Sequence, residues 1–105
     1  KPKSLVLCSL SPFFEEDMKN IKPAWLKWWK EHYIGGDYSF TKLAPSIKYE
    51  TYLIVGDKEH KSCIIRANDA KKKLLNSHLY VAVGAKHAVH QKEYLETINR
   101  IVCKL

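Results

Sequence analysis

Three short apolar runs constrain the fold of this chain most strongly. They occupy residues 5–8, 49–55 and 79–83, and segments long enough to form helices separate them. A short continuous apolar run such as residues 5–8, and a stretch rich in β-branched and aromatic residues such as 49–55, are typical of buried strands of a sheet. Because parallel neighbours need a long crossover connection, usually a helix, this spacing predicts a mostly parallel sheet.

Two of the segments show a helical periodicity of apolar residues. Over residues 61–75, small and apolar side chains recur at helical spacing, at Cys63, Ala67, Ala70 and Leu74. This pattern predicts a helix whose inner face carries them and whose outward face carries Arg66, Lys72 and Lys73. The last segment also has its apolar residues on one face, which predicts an amphipathic helix that closes the domain.

A third helix is expected before the only Gly-Gly pair. Its large side chains recur at helical spacing, at Trp25, Trp28, Trp29, His32 and Tyr33. This pattern predicts a helix with an aromatic face against the core, ended by Gly35 and Gly36. Residues 37–41 then alternate polar and aromatic side chains, which predicts a half-exposed strand. Together these patterns predict one α/β domain over 1–105, with three layers, helices on both faces and four strands.

The charge balance favours an acidic or phosphorylated partner, DNA included. The 105 residues contain 18 basic and 11 acidic side chains, for a net charge of +7, and such a charge attracts polyanions. The candidate nucleic-acid contacts are Lys27, Lys30, Lys58, Lys72 and Lys73. The alternative is that the lysines only keep the domain in solution. No apolar run approaches the ~20 residues needed to span a bilayer, so we predict no membrane partner.

Cysteine and histidine spacing offers a metal-binding interpretation beside a structural one. The pairs His60 and Cys63, and His87 and His90, each have two residues between them, which could bring two ligands to one ion. However, the odd set of three cysteines lies in apolar or helical surroundings, which suits reduced, buried thiols. We therefore predict no metal, no cofactor and no catalytic residue. A small metal-dependent enzyme that uses Asp37 or Asp57 is a third, alternative hypothesis.

One corner of the predicted sheet could bind a phosphate group. Ser9 follows the first strand, and ligands of open α/β sheets collect at the carboxyl ends of strands, beside helix N-termini. Lys61, Arg66 or Lys71 of the helix over 61–75 could supply the positive charge. The alternative is that Ser9 only forms a turn and that the basic side chains are solvated.

This arrangement resembles the BRCT domain family. Residues 5–12 are similar to the family's first strand and turn, residues 32–36 to the glycine pair that ends its first helix, and residues 50–55 to its next buried strand. The resemblance covers nearly the whole chain in the order of its elements. Two features depart from the family pattern. Tyr94 stands nearest to the signature tryptophan of the last helix, and residues 13–22 are additional.

The resemblance implies a non-catalytic interaction module of a nuclear protein of DNA repair, replication or telomeres. Its partner would be a phosphorylated peptide or a protein surface. In phosphopeptide-binding members a hydroxyl residue closes the first strand and a lysine comes from the second helix. Here Cys8 occupies the hydroxyl position with Ser9 beside it, and the basic residue would be Lys61, Arg66 or Lys71. We expect the domain to be part of a longer protein, and its oligomeric state stays open.

Overall fold

The computed structural model describes residues 3–32 and 39–105, which form a parallel α/β sheet domain. In chain order the strands are β1 (Ser4–Cys8), β2 (Glu50–Gly56) and β3 (Ser77–Ala82). The helices are α1 (Pro23–His32), α2 (Phe40–Leu43), α3 (Lys61–Lys73) and α4 (Lys92–Val102). Short 3-10 helices cover Glu15–Asp17 and Ala44–Ser46. None of these helices combines the length and the hydropathy that a bilayer crossing requires.

The sheet has the order β1-β2-β3, and both neighbouring pairs are parallel. The three predicted apolar runs form these strands, with bounds that differ by one or two residues. β2 lies in the centre, and every residue from Thr51 to Gly56 is buried. A central parallel strand has helices over both of its faces, which is why its sequence is apolar from Tyr52 onward.

The two faces of the sheet carry separate hydrophobic clusters. On one face, Leu53 packs with residues of α2 and α3, including Phe40 and Ala70. On the other face, Ile54 packs with Tyr94 and Ile101 of α4. Adjacent residues of a strand point to opposite faces, so the pair Leu53 and Ile54 anchors both layers. The predicted three-layer α/β architecture with helices on both faces is thereby confirmed.

The fourth strand that we predicted over residues 37–41 is not part of the sheet in the described residues. Asp37 and Tyr38 lie outside them, Ser39 caps α2, and Phe40 and Thr41 begin that helix. The Ser39 hydroxyl oxygen accepts a hydrogen bond from the Lys42 N–H, which is the usual role of serine at this position. Phe40 is buried, so the alternation that suggested a strand reflects one anchoring aromatic side chain and its polar neighbours.

The expected core-facing aromatic helix is also corrected. α1 forms over Pro23–His32 but buries none of its residues, and Trp28 is 42% exposed. Its aromatic side chains contact neighbours at the surface instead. Trp25 meets the His60 ring edge to face, and the Trp29 indole N–H donates to the Phe13 carbonyl oxygen at 2.9 Å. The expected glycine stop at Gly35 and Gly36 lies outside the described residues.

Candidate functional site

The carboxyl ends of the three strands meet at one edge of the sheet, where Ser9, Glu59 and His87 come together. Ser9 directly follows β1, Glu59 lies between β2 and α3, and His87 lies between β3 and α4. Each therefore reaches the site from a different connection. This is the edge at which ligands of open parallel sheets usually bind.

Backbone contacts fix the loops that carry Glu59 and His87. The Lys58 N–H donates to the Ala85 carbonyl oxygen at 3.0 Å, and the Gly84 N–H donates to Asp57 Oδ1 at 2.7 Å. Gly56 lies so close to the Ala85 backbone that a Cβ atom there would clash with it. The chain thus needs glycine at this position to bring the two loops together.

Glu59 is the buried centre of the site. Its side chain is fully inaccessible. Its Oε1 atom accepts hydrogen bonds from Ser9 Oγ at 2.8 Å and from His87 Nδ1 at 2.5 Å. Its Oε2 atom accepts one from the Gly56 N–H at 2.6 Å and another from the Tyr94 hydroxyl group. Both carboxylate oxygens are therefore satisfied, as burial of a charged group requires.

These hydrogen bonds keep Glu59 ionised. Burial acts to raise the pKa of its carboxyl group, but the bonds from Tyr94, His87, Gly56 and Ser9 outweigh it, so the pKa lies below its ordinary value. The pKa of Tyr94 is raised, first by burial and then by the adjacent carboxylate. Tyr94 therefore remains a protonated hydrogen-bond donor to Glu59.

The contact with Glu59 fixes the tautomer of His87. An ionised carboxylate only accepts hydrogen bonds, so Nδ1 must carry the proton that it donates. In the neutral ring Nε2 is then left as an acceptor, and it has no partner among residues 3–32 and 39–105. The side chain is 44% exposed. A carboxylate on Nδ1 that leaves Nε2 available is the arrangement in which histidine acts as a general base.

Ser9 supports this pair from the side of Nδ1. Its Oγ atom lies 2.5 Å from His87 Nδ1 and donates its proton to Glu59 Oε1. The backbone of Ser9 has a φ of 55°, which is rare for a residue other than glycine. Its N–H donates to the Ile54 carbonyl oxygen at 2.9 Å, which holds the strained residue at the end of the sheet.

A small cavity borders His87. It has a volume of about 240 Å³ and is lined by His87 together with Ser11, Pro12, Phe13 and Trp25. The walls are mostly apolar and aromatic, which is common in ligand pockets. A group that occupied this cavity would lie against the exposed imidazole ring.

Two residues of the predicted phosphate-binding corner have other partners in the structure. Ser9 donates a hydrogen bond to the Glu59 carboxylate, and Arg66 forms ion pairs away from Ser9. Arg66, expected on the outward face of α3, is only 1% exposed and forms ion pairs with Asp17 and Asp69 at 2.9 and 2.8 Å. Its guanidinium group also lies over the rings of Phe14 and Phe40. Asp69 is three residues further along α3, but the helical period could not reveal Asp17, Phe14 and Phe40, because they come from distant parts of the chain.

The predicted lysines lie mainly at the surface. Exposed side chains are found at Lys27, Lys30, Lys58, Lys61, Lys71 and Lys72. Lys73 differs, because it is half-buried and forms ion pairs with Glu16 and Asp69. The enzyme hypothesis named two acidic residues. Asp37 lies outside the described residues, and Asp57 Oδ1 accepts a hydrogen bond from the Gly84 N–H.

Sequence reasoning did not select Glu59 or Tyr94, and it considered His87 only as a metal ligand. A signal for two of them was present, since Glu59 follows β2 and His87 follows β3, and both are therefore at carboxyl ends of parallel strands. Tyr94 gave no such signal. It appeared only as a position of the last helix, nearest to the signature tryptophan of the BRCT family, and its hydroxyl contact depends on how α4 packs.

Comparison with known proteins gives a likeness of fold. No protein-family model and no curated protein matches the sequence. Among solved structures, the chain is similar to an alpha/beta hydrolase enzyme from the metagenome of sediments from the lagoon of Mar Chica, Morocco. The TM-score is 0.66 at 21% identity over 97% of this chain. The chain spans half the length (50%) of that enzyme. At this identity the likeness concerns the parallel α/β fold.

Proposed function

We propose that His87 is the general base of a hydrolase active site and that the ionised Glu59 orients it, and we call these two residues the acid–base pair. The observation that carries the proposal is the buried Glu59 carboxylate on His87 Nδ1, which leaves Nε2 free of partners among the described residues. The shared fold with an alpha/beta hydrolase enzyme supports the same class of chemistry. The reaction would be acyl transfer to water, that is, the hydrolysis of an ester or a related acyl compound.

In this reaction His87 Nε2 would take the proton from an attacking hydroxyl or thiol group. The ring would then be a cation, and the ionised Glu59 would stabilise it through Nδ1. When the ester bond breaks, the same proton would pass from Nε2 to the leaving oxygen, and the acyl group would remain on the nucleophile. Water would then attack this acyl group, with Nε2 taking the proton of the water and returning it to the nucleophile as the acid product leaves. Glu59 keeps its charge throughout, which agrees with the lowered pKa of its carboxyl group.

Ser9 would be a positioning residue rather than the nucleophile. Its hydroxyl lies on the Nδ1 side of the ring and donates its proton to Glu59. One ring nitrogen cannot donate to the carboxylate and accept from a nucleophile at once. We therefore propose that the nucleophile is a hydroxyl or thiol group that reaches Nε2 from the side of the cavity described above.

Nuclear magnetic resonance on the chain itself would test the acid–base pair. We expect a strongly deshielded Nδ1 proton for His87 and ring-nitrogen shifts typical of the Nδ1-protonated tautomer. In Glu59→Gln this proton resonance should move upfield, while His90→Asn should leave it unchanged. A His87 ring protonated on Nε2 alone would contradict the pair.

Hydrolysis assays on the whole protein would test the activity. With p-nitrophenyl acetate as substrate, we expect His87→Asn to lower kcat/KM by about 10²- to 10⁴-fold, the usual contribution of a general base. The matched control is His90→Asn, which alters an exposed histidine of the same loop. Equal rates for the wild type and His87→Asn would refute the proposal.

The interaction module expected from the sequence stays a prediction, and exposed lysines at Lys27, Lys30, Lys58, Lys61, Lys71 and Lys72 are compatible with it. Titration with 5′-phosphorylated duplex DNA and with phosphoserine peptides, at low and physiological salt, tests it separately from hydrolysis. A DNA contact surface predicts affinity that falls steeply with salt. A phosphopeptide site predicts loss of binding in Ser9→Ala or Lys61→Ala with the fold retained.

A further inference from the structure

A thiol group lies next to the acid–base pair. The Sγ atom of Cys63, one carboxylate oxygen of Glu59 and one ring nitrogen of His87 all lie within 4.8 Å of one another. Cys63 belongs to the first turn of α3, four positions after Glu59, and His87 approaches from the loop after β3. The cluster contains one member from each of the two spaced pairs in the sequence, Cys63 and His87.

The other members of those pairs have different roles. The His60 ring accepts the Ser62 N–H at 3.1 Å and caps the N-terminus of α3. His90 is exposed and does not belong to the cluster. The three potential ligand atoms therefore come from two parts of the fold, Glu59 and Cys63 from the segment around the start of α3 and His87 from the loop after β3.

The donor atoms select a particular kind of cation. Sulfur, imidazole nitrogen and carboxylate oxygen together suit Zn²⁺, whose bonds to sulfur and nitrogen are about 2.3 and 2.0 Å long. The thiolate and carboxylate would supply two negative charges to balance a divalent ion in a buried place. Three protein ligands also leave a fourth position open, as in zinc sites that bind water or a small ligand.

The site is accessible from the side of His87. Cys63 is 1% exposed, whereas the His87 side chain is 44% exposed and lines the cavity described above. An ion could therefore enter past the imidazole ring without unfolding the sheet. Cys8 and Cys103, the other free thiols, do not belong to the cluster.

We propose that Glu59, Cys63 and His87 bind one Zn²⁺ ion. We further propose that zinc binding breaks the hydrogen bond between Glu59 and His87, so that the two residues cannot act as the acid–base pair while the ion is bound. Zinc would need the His87 Nδ1 lone pair and an oxygen of Glu59, and these two atoms are joined by a hydrogen bond in the free protein. On binding, Cys63 would lose its proton to solvent, and the His87 proton would move from Nδ1 to Nε2 through solvent exchange. The inhibition that follows rests on the proposed function, whereas zinc binding itself does not.

Cobalt substitution would test the site directly. In a Cys103→Ser background, which removes the exposed thiol, we expect Co²⁺ to give a thiolate charge-transfer band in the near ultraviolet and tetrahedral d–d bands in the visible. Zn²⁺ should displace Co²⁺ and abolish these bands at one equivalent. Calorimetric titration with Zn²⁺ should likewise give one site per chain.

Two variants separate this site from surface binding. Cys63→Ser should lose the charge-transfer band, and His87→Asn, at a half-exposed position, should weaken zinc binding by about tenfold or more. The matched controls, Cys8→Ser and His90→Asn, should behave as the parent chain. Binding that survives both Cys63→Ser and His87→Asn, or an absence of stoichiometric binding, would overturn the proposal.

A hydrolysis assay with zinc distinguishes the two proposals. If both hold, stoichiometric Zn²⁺ inhibits the intact protein and a chelator restores its activity. Cobalt bands that depend on Cys63, in a protein without hydrolytic activity, would support the metal site and contradict the proposed function. Hydrolytic activity that depends on His87 and is unaffected by saturating zinc would contradict the proposal that zinc binding prevents the acid–base pair from acting.

Discussion

A buried carboxylate is stable only when donors surround it, and Glu59 receives hydrogen bonds from Ser9, Gly56, His87 and Tyr94. These donors come from two loops, from the end of β2 and from α4. The network therefore links the candidate site to the packing of the whole sheet. Because each donor favours the ionised form, loss of one should affect both stability and the charge of Glu59.

The first prediction concerns Tyr94→Phe, which removes the hydroxyl donor and keeps the buried ring. We expect a loss of about 1–3 kcal/mol in the free energy of unfolding, because Glu59 Oε2 loses a buried partner. We also expect the pKa of Glu59 to rise, which carbon-13 chemical shifts of the carboxyl group would report. Urea unfolding at neutral pH measures the first effect, and the exposed Tyr49→Phe serves as the matched control.

A second residue-scale prediction concerns the ion pair of Arg66 and Asp17, whose side chains are 1% and 3% exposed. Asp17→Asn keeps the shape of the side chain but leaves the guanidinium group with Asp69 alone. Removing one partner of a buried pair typically costs about 3–5 kcal/mol. Urea unfolding should show a loss of this size, and the exposed Arg100→Ala should change stability little. A loss below about 1 kcal/mol would mean that the pair is already hydrated.

At the scale of elements, the strands and helices that the sequence predicted best are those in which the pattern of apolar residues also decides which side chains are buried. β1, β2, β3, α3 and α4 all form near their predicted positions, because their apolar residues follow the period of a strand or a helix. α1 also forms, but its aromatic spacing did not indicate burial. Aromatic side chains can pack on one another at the surface, as Phe13 and Trp28 do at 5.3 Å between ring centroids.

The third prediction tests this view of α1. Trp28→Ala should cost less than about 1.5 kcal/mol, because the side chain is 42% exposed and α1 contains no buried residue. Phe40→Ala, at a residue of the core that is 3% exposed, should cost about 3–5 kcal/mol. Urea unfolding of both variants gives the comparison. Equal losses of unfolding free energy in the two variants would mean that Trp28 is packed as a core residue.

The fourth prediction concerns the N-terminus of α2, where Glu16 accepts the Phe40 and Thr41 N–H groups at 3.0 and 2.6 Å. Burial acts to raise the pKa of Glu16, but hydrogen bonds from the Thr41 hydroxyl and from backbone N–H groups lower it to about 2. A lowered pKa means that the stabilisation is complete above the ordinary value of 4.5 and is lost as the pH falls toward 2.

Glu16→Gln should therefore be less stable than the wild type at pH 7, by about 1–3 kcal/mol for hydrogen bonds to a charged group. The difference should shrink as the pH falls from 4.5 toward 2 and should vanish only below pH 2, where Glu16 is protonated in the folded state as well. Thermal unfolding at a series of pH values measures it. The exposed Glu15→Gln is the matched control, and a difference independent of pH would mean that charge is not involved.

At the scale of the whole molecule, the parallel sheet was predictable and the meeting of its loops was only partly so. Strand order and direction place Ser9, Glu59 and His87 at one edge, so their proximity could have been inferred once the strands were known. The individual contacts could not. The Nδ1 contact of His87 depends on the close approach of Gly56 and Ala85, and nothing local in the sequence specifies that distance.

From the three-layer architecture we predict that losses of unfolding free energy on opposite faces of the sheet are additive. Leu74 packs on the face of the sheet covered by α2 and α3, and Ile101 packs on the face covered by α4. Leu74→Ala should cost about 2–5 kcal/mol and Ile101→Val about 0.5–1.5 kcal/mol. Because the sheet separates the two side chains and they share no cluster, the double variant should lose the sum of both costs within about 0.5 kcal/mol.

Urea unfolding of the wild type, both single variants and the double variant completes this thermodynamic cycle. A second cycle, Ile54→Val with Ile101→Val, is the matched comparison, because both residues belong to the cluster under α4. That pair should deviate from additivity, since the second change relaxes into space that the first one opened. If the pair across the sheet deviates more than the pair within one cluster, the two layers are not independent, and β2 transmits strain between them.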